Sequence, residues 1–146
     1  MSHESYLKEL ERVHKLVLSS LDEIKWCIDT GLLESMPSLI TTIGELEVIL
    51  SEHLRGEDQR FYKELRLRAI DLGQDALLTA LDFFIVRTNE ISRKAEDFFG
   101  SYNSKEKILS KQAGFVDNFN ELREDIIKRN KSEEGSLFHI YKAYFF

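Results

Sequence analysis

Four residues that interrupt apolar helical stripes have side chains that zinc and iron bind well: His14, His53, Glu57 and Glu133. His53 and Glu57 form an i, i+4 pair, as do Arg129 and Glu133, so each pair projects from one helix face, a turn apart. Helical bundles build metal sites from such groups, with carboxylates and imidazoles pointing inward from facing helices. Arg129 changes the chemistry. Its guanidinium stays charged and has no lone pair to offer a cation. Its planar fork does match carboxylates, and it could bridge Glu57 and Glu133 as a buried ion network. A protonated His14 or His53 would then offset the second carboxylate. Two chemistries are therefore open: ligation of a cation, or an ion network that fills the same space.

Each of these residues interrupts an apolar stripe, and the stripes define the elements that must position them. Apolar residues recur with a period close to 3.6, and no useful run alternates with period two. The first helix is predicted from about Ser5 to Asp29, with Leu7, Leu10, His14, Val17, Leu21, Ile24 and Ile28 on one face. Gly31 ends it, Ser35 reads as the next N-cap, and Pro37 sits in the first turn of the second helix. That helix is predicted to reach about Arg68, with Ile43, Leu46, Leu50, His53, Glu57 and Phe61 on its stripe. A break follows at Asp71-Leu72-Gly73. The third helix carries Leu78, Leu81, Ile85, Thr88, Ile91, Ala95 and Phe98, and Gly100 closes it. Ser101 to Gly114 reads either as a loop or as a short helical turn over Lys105–Leu109 with a bend at Gly114. The fourth helix shows Phe115, Phe119, Leu122, Ile126, Arg129, Glu133, Leu137, Ile140 and Tyr144. Long amphipathic helices with short connections predict an all-α antiparallel up-down-up-down four-helix bundle, one domain over 1–146. Residues midway along each helix then share one layer, where the polar groups meet and satisfy one another.

These elements resemble the hemerythrin-like (HHE cation-binding) domain family. Val-His14-Lys-Leu-Val17 matches its first element, and His53-Leu-Arg-Gly-Glu57-Asp58-Gln-Arg-Phe61-Tyr62 resembles its second-helix run. Arg129-Asn-Lys-Ser-Glu133-Glu134-Gly-Ser-Leu137-Phe138 fits the same template with Arg129 in place of His. Thr88-Asn-Glu-Ile91 fits the third-helix element with Thr88 in place of His, and a slip of one residue would put Asn89 there instead. The resemblance implies a bundle holding a non-haem di-iron centre on a histidine-rich set bridged by carboxylates. This chain keeps His14, His53, Glu57 and Glu133 but lacks the histidines of the third and fourth helices. His3, at the start of the chain, and His139, rotated off the stripe, do not replace them. An intact di-iron centre is therefore not expected. The expected cofactor is none, or a single divalent metal, iron or zinc.

Composition narrows the rest. The 146 residues are 42% hydrophobic and 32% charged with net charge −6, a balance that suits one compact domain and repels nucleic-acid phosphates. Cys27 is the sole cysteine, which excludes an internal disulfide and a cysteine metal cluster, and it reads as a small buried hydrophobe. The charged start MSHESYLKELERVHK lacks the apolar core of a signal peptide, and no basic face suits a membrane surface, so a cytoplasmic protein is expected. No phosphate loop, nucleophile elbow or catalytic triad is legible, and no enzyme is expected. Trp26 lies off the main stripe. Phe138, Tyr141, Tyr144, Phe145 and Phe146 either cap the end of the bundle or form a patch for a homodimer or another protein partner. The functional expectation is a regulatory or binding module that is metal-free or binds metal weakly. Its rival is a mononuclear protein that senses or stores a divalent metal or a diatomic gas.

Overall fold

The computed structural model describes residues 1–146 and is all-helical, without strands. Helix α1 spans His3–Thr30, α2 Met36–Gly56, α3 Tyr62–Asp71, α4 Asp75–Ser101, α5 Lys105–Ser110, α6 Gln112–Gly135 and α7 Leu137–Phe145. A π-turn at Glu57–Phe61 joins α2 to α3 without breaking the rod. No helix is long and apolar enough to cross a membrane.

Local chemistry sets the ends. Ser2 caps α1 by accepting the Ser5 N–H at 3.1 Å. Gly31 follows α1 at φ 137°, a conformation closed to side-chain-bearing residues without strain. Ser35 precedes α2 as expected, yet its side chain makes no capping bond. Gly73 takes φ 64° in the turn between α3 and α4, again a position for glycine. Ser104 caps α5 through the Lys107 N–H, so the Ser101–Gly114 region is a short helix and not an open loop. Gly114 lies in the first turn of α6 without a bend, and a Cβ there would meet Tyr102 Oη at 3.1 Å. The long final helix expected from the stripe is divided at Ser136, whose φ −134° and ψ −74° leave the helical region.

Helix α1 lies along α2, α3 along α4, and α4 along α6, while α7 folds back onto α1. The buried residues form two apolar clusters. One holds Val17, Leu21, Leu46, Leu50, Ile91 and Ile126 among others. The second holds Leu7, Leu10, Phe61, Tyr62, Leu65, Leu81, Leu137, Phe138 and Tyr141. The buried residues His14, Glu57, Thr88, Arg129 and Glu133 fall between the two along the chain, and His53 lies at the edge of the first. Helix α1 runs from the second cluster through His14 to the first, and the rod of α2, π-turn and α3 runs from the first through Glu57 to the second. Helix α4 then goes from Leu81 past Thr88 to Ile91, and α6 from Ile126 past Glu133 to Leu137 on α7.

Cys27 is buried in the first cluster, and Trp26 is exposed. Most of the C-terminal aromatics turn inward: Phe138 and Tyr141 are buried, while Phe146 stays exposed. His3 pairs with Glu64 at 2.6 Å and stacks on the Phe145 ring, and so ties the start of α1 to α3 and α7.

Candidate metal centre

His14 comes from α1, His53 from α2, Glu57 from the π-turn, Thr88 from α4, and Arg129 and Glu133 from α6. All are buried. Of the two residues offered on the third predicted helix, Thr88 is buried in this cluster and Asn89 is exposed. His139 is exposed, and His3 lies with Glu64 outside this cluster.

Arg129 is the hub. Its Nη1 and Nη2 donate to Glu57 Oε1 and Oε2 at 3.2 and 2.6 Å, a bidentate fork. Nη2 also lies 2.9 Å from Glu133 Oε2, so the guanidinium bridges both carboxylates. Asn130 Oδ1 accepts from Nη1 at 2.9 Å. Nε donates to Thr88 Oγ1 at 3.3 Å. Tyr62, a residue the stripe did not single out, completes the network. Its hydroxyl donates to Glu133 Oε2 at 2.7 Å and accepts from Arg129 Nη2 at 2.7 Å. That leaves Thr88 Oγ1, 3.0 Å away, to donate to the phenol oxygen.

The π-turn explains Tyr62. Five residues along an α-helix carry a side chain about 140° away from the starting face. Between Glu57 and Phe61 the helix widens, and the Tyr62 N–H bonds to Glu57 O, an i→i+5 link. The extra residue returns Tyr62 to the face of Glu57 while Phe61 stays buried beside it.

The histidines lie on the opposite side of the carboxylates from Arg129's strongest contacts. His14 Nε2 is 3.4 Å from Glu133 Oε1 and 3.7 Å from Glu57 Oε1, ion-pair contacts that are not hydrogen bonds. His53 Nε2 touches Glu57 Oε1 without hydrogen-bond alignment. The rings of His14 and His53 meet edge to face at 4.8 Å. His14 Nε2, His53 Nε2 and Glu133 Oε1 are buried and have no hydrogen-bond partner. Nearly all buried polar atoms in proteins are satisfied, so three orphans within one cluster mark it as a candidate site.

The fields in the site are uneven. Burial lowers the basicity of His14, but Glu133 and Glu57 outweigh it and lift the imidazole to about 9. Burial wins at His53, whose pKa falls below its ordinary value despite Glu57. Burial alone would raise Glu57, yet Arg129 and His53 hold it well below the usual carboxylate range. Burial and the charge of Glu57 push Glu133 up to about 7 against the pull of Arg129. Burial and both carboxylates drive the Tyr62 phenol far up, which keeps it neutral and able to donate.

One atom from each of His14, His53, Glu57 and Glu133 lies within 4.8 Å of all the others. Ligands at about 2.1 Å from a common ion stand about 3.4 Å apart in a tetrahedron. The 3.4 and 3.7 Å separations from His14 Nε2 are close to that edge. His53 Nε2 and Glu57 Oε1 stand closer than that edge, so these four groups could hold a divalent cation once that pair separates. Across the carboxylates the space is taken by the Arg129 guanidinium, and Thr88 offers only a neutral hydroxyl there. The chain matches no protein-family model, no curated protein and no solved structure.

Proposed function

We propose that the chain is a single-domain hemerythrin-like antiparallel four-helix bundle that binds one divalent metal beside a fixed guanidinium. The alternating order in which successive helices pass between the two apolar clusters supports the up-down-up-down arrangement. The observation that carries the metal reading is the convergence of unpartnered His14 Nε2, His53 Nε2 and Glu133 Oε1 on one buried point, with Glu57 Oε1 adjacent. A metal-free ion network, the other course open to these residues, keeps those atoms in ion-pair contact but without aligned hydrogen bonds.

His14, His53, Glu57 and Glu133 would hold the ion. Arg129 grips both oxygens of Glu57 and Oε2 of Glu133, which leaves Glu133 Oε1 free on the histidine side. Tyr62 and Thr88 hold Arg129 and Glu133 in that pose. Zinc would supply a structural cross-link there, and ferrous iron the capacity to sense redox state or a diatomic gas. Counting charge, Arg129 cancels one carboxylate, so a single divalent ion leaves the cluster at +1, whereas two would leave it at +3. The role proposed is binding and regulation.

The test is metal content by plasma mass spectrometry on untagged protein, reconstituted without oxygen with ferrous iron and, separately, with zinc. The reading expects uptake near one ion per chain that disappears in His53→Ala. Uptake unchanged in His53→Ala, or none in the folded wild type, would overturn it.

A further inference from the structure

Glu134 stands outside the donor cluster, yet one of its oxygens touches it from behind. Oε1 lies 2.9 Å from His14 Nδ1, on the ring edge that faces away from Glu57 and Glu133. The Glu134 side chain is 46% exposed while that of His14 is only 2% exposed, so this pair links solvent to the buried site. Both line a groove of about 320 Å3 between α1 and α6, with Leu18 and Ile126 in its walls. Among the histidine and carboxylate pairs of the site, His14 alone has an acid on the nitrogen away from the cluster.

An ionised carboxylate can only accept, so this contact requires the proton on His14 Nδ1. In a neutral imidazole the lone pair is then on Nε2, the atom that faces Glu57 and Glu133. We propose that Glu134 is a positioning residue for cation binding: it fixes His14 in the Nδ1–H tautomer and turns a bare Nε2 toward the buried donors. The inference rests on the mononuclear reading above and adds the residue that prepares its first-helix ligand. Packing alone does not make this choice. Phe138 lies against the His14 ring at 5.2 Å and restrains its plane, but an apolar neighbour does not distinguish the two nitrogens. Outer carboxylates on metal-binding histidines are typically worth about 10–100-fold in affinity.

The experiment compares the full-length wild type with Glu134→Ala and Glu134→Gln. Zinc affinity is read by competition with a chromophoric chelator. The His14 tautomer is read on metal-free protein by long-range 15N–1H NMR near pH 10, where the ring is neutral. The proposal expects Nδ1–H in the wild type, a mixed population in Glu134→Ala, and zinc binding weakened about 10–100-fold. Glu134→Gln, whose amide oxygen still accepts, recovers part of both. An unchanged tautomer in Glu134→Ala overturns the proposal, and so does unchanged zinc affinity. If the tautomer responds while the wild type takes up no zinc, the role in cation binding falls with the mononuclear reading and only the hold on His14 survives. If zinc binds equally to all three proteins, the metal reading stands and the role of Glu134 falls.

Discussion

Replacing Arg129 by methionine should weaken the metal-free fold and tighten the metal site at once. The guanidinium makes the bidentate pair with Glu57, the contact with Glu133, and bonds to Tyr62, Thr88 and Asn130. Methionine fills a similar volume but leaves two buried carboxylates with His14 as their main counter-charge. Breaking a buried ion pair by removing one partner costs about 3–5 kcal/mol, and Arg129 serves two partners, so the upper part of that range applies. Chemical denaturation of the metal-free variant followed by circular dichroism measures it. The same loss removes a positive charge next to the cation. Two unit charges about 5 Å apart repel by about 3 kcal/mol at an effective dielectric near 20, so zinc should bind at least about tenfold tighter even after relaxation. Zinc should therefore restore more stability to Arg129→Met than it adds to the wild type. A metal-free variant within about 1 kcal/mol of the wild type would refute the reasoning, because the fork would then not be what holds the carboxylates.

Other outcomes follow from the same geometry. The metal-free protein should lose stability between about pH 6.5 and 9. His14 is raised to about 9 in the fold, so its contribution is complete below its unfolded value and fades as pH climbs through 9. Its full span corresponds to about 3 kcal/mol, and denaturation midpoints across pH should show it, with His14→Gln flat over that window. Glu133, raised to about 7, adds a loss of the same sign at lower pH, whereas Glu57, depressed, withdraws its contribution only as pH falls below the carboxylate range. Tyr62→Phe removes the hydroxyl shared by Glu133, Arg129 and Thr88 and should cost about 1–3 kcal/mol by the same assay. Arg129→His should let a second ion enter with Thr88 still neutral, which native mass spectrometry would show as uptake above one per chain.

The sequence made the layer legible because helical spacing is blunt and polar residues on an apolar stripe are conspicuous. His14, His53, Glu57, Thr88, Arg129 and Glu133 all sit at positions where the stripe demanded an apolar side chain, and all are buried together. Tyr62 was hidden because a 3.6-residue period places it off the face of Glu57, and nothing in Glu-Asp-Gln-Arg-Phe announces a π-turn. Glu134 was hidden for the opposite reason. It lies one residue past Glu133 and reads as a solvent-facing acid, and half of it is; only the folded position of His14 gives its inner oxygen a partner. The division at Ser136 escaped detection because Glu133 and Leu137 keep the i, i+4 phase across it. Thr88 and Arg129, the residues that depart from the hemerythrin-like pattern the sequence resembles, are both buried among the donors and bonded to each other.

The most direct test counts ions. Native mass spectrometry of metal-free wild-type protein, titrated with ferrous iron under argon, resolves species carrying none, one or two. The account predicts saturation at a single ion per chain, with no second ion as the titrant rises. Saturation at two would contradict the claim that Arg129 holds the second place, and a spectrum that stays metal-free would contradict the claim that the orphaned histidine and carboxylate atoms await a cation.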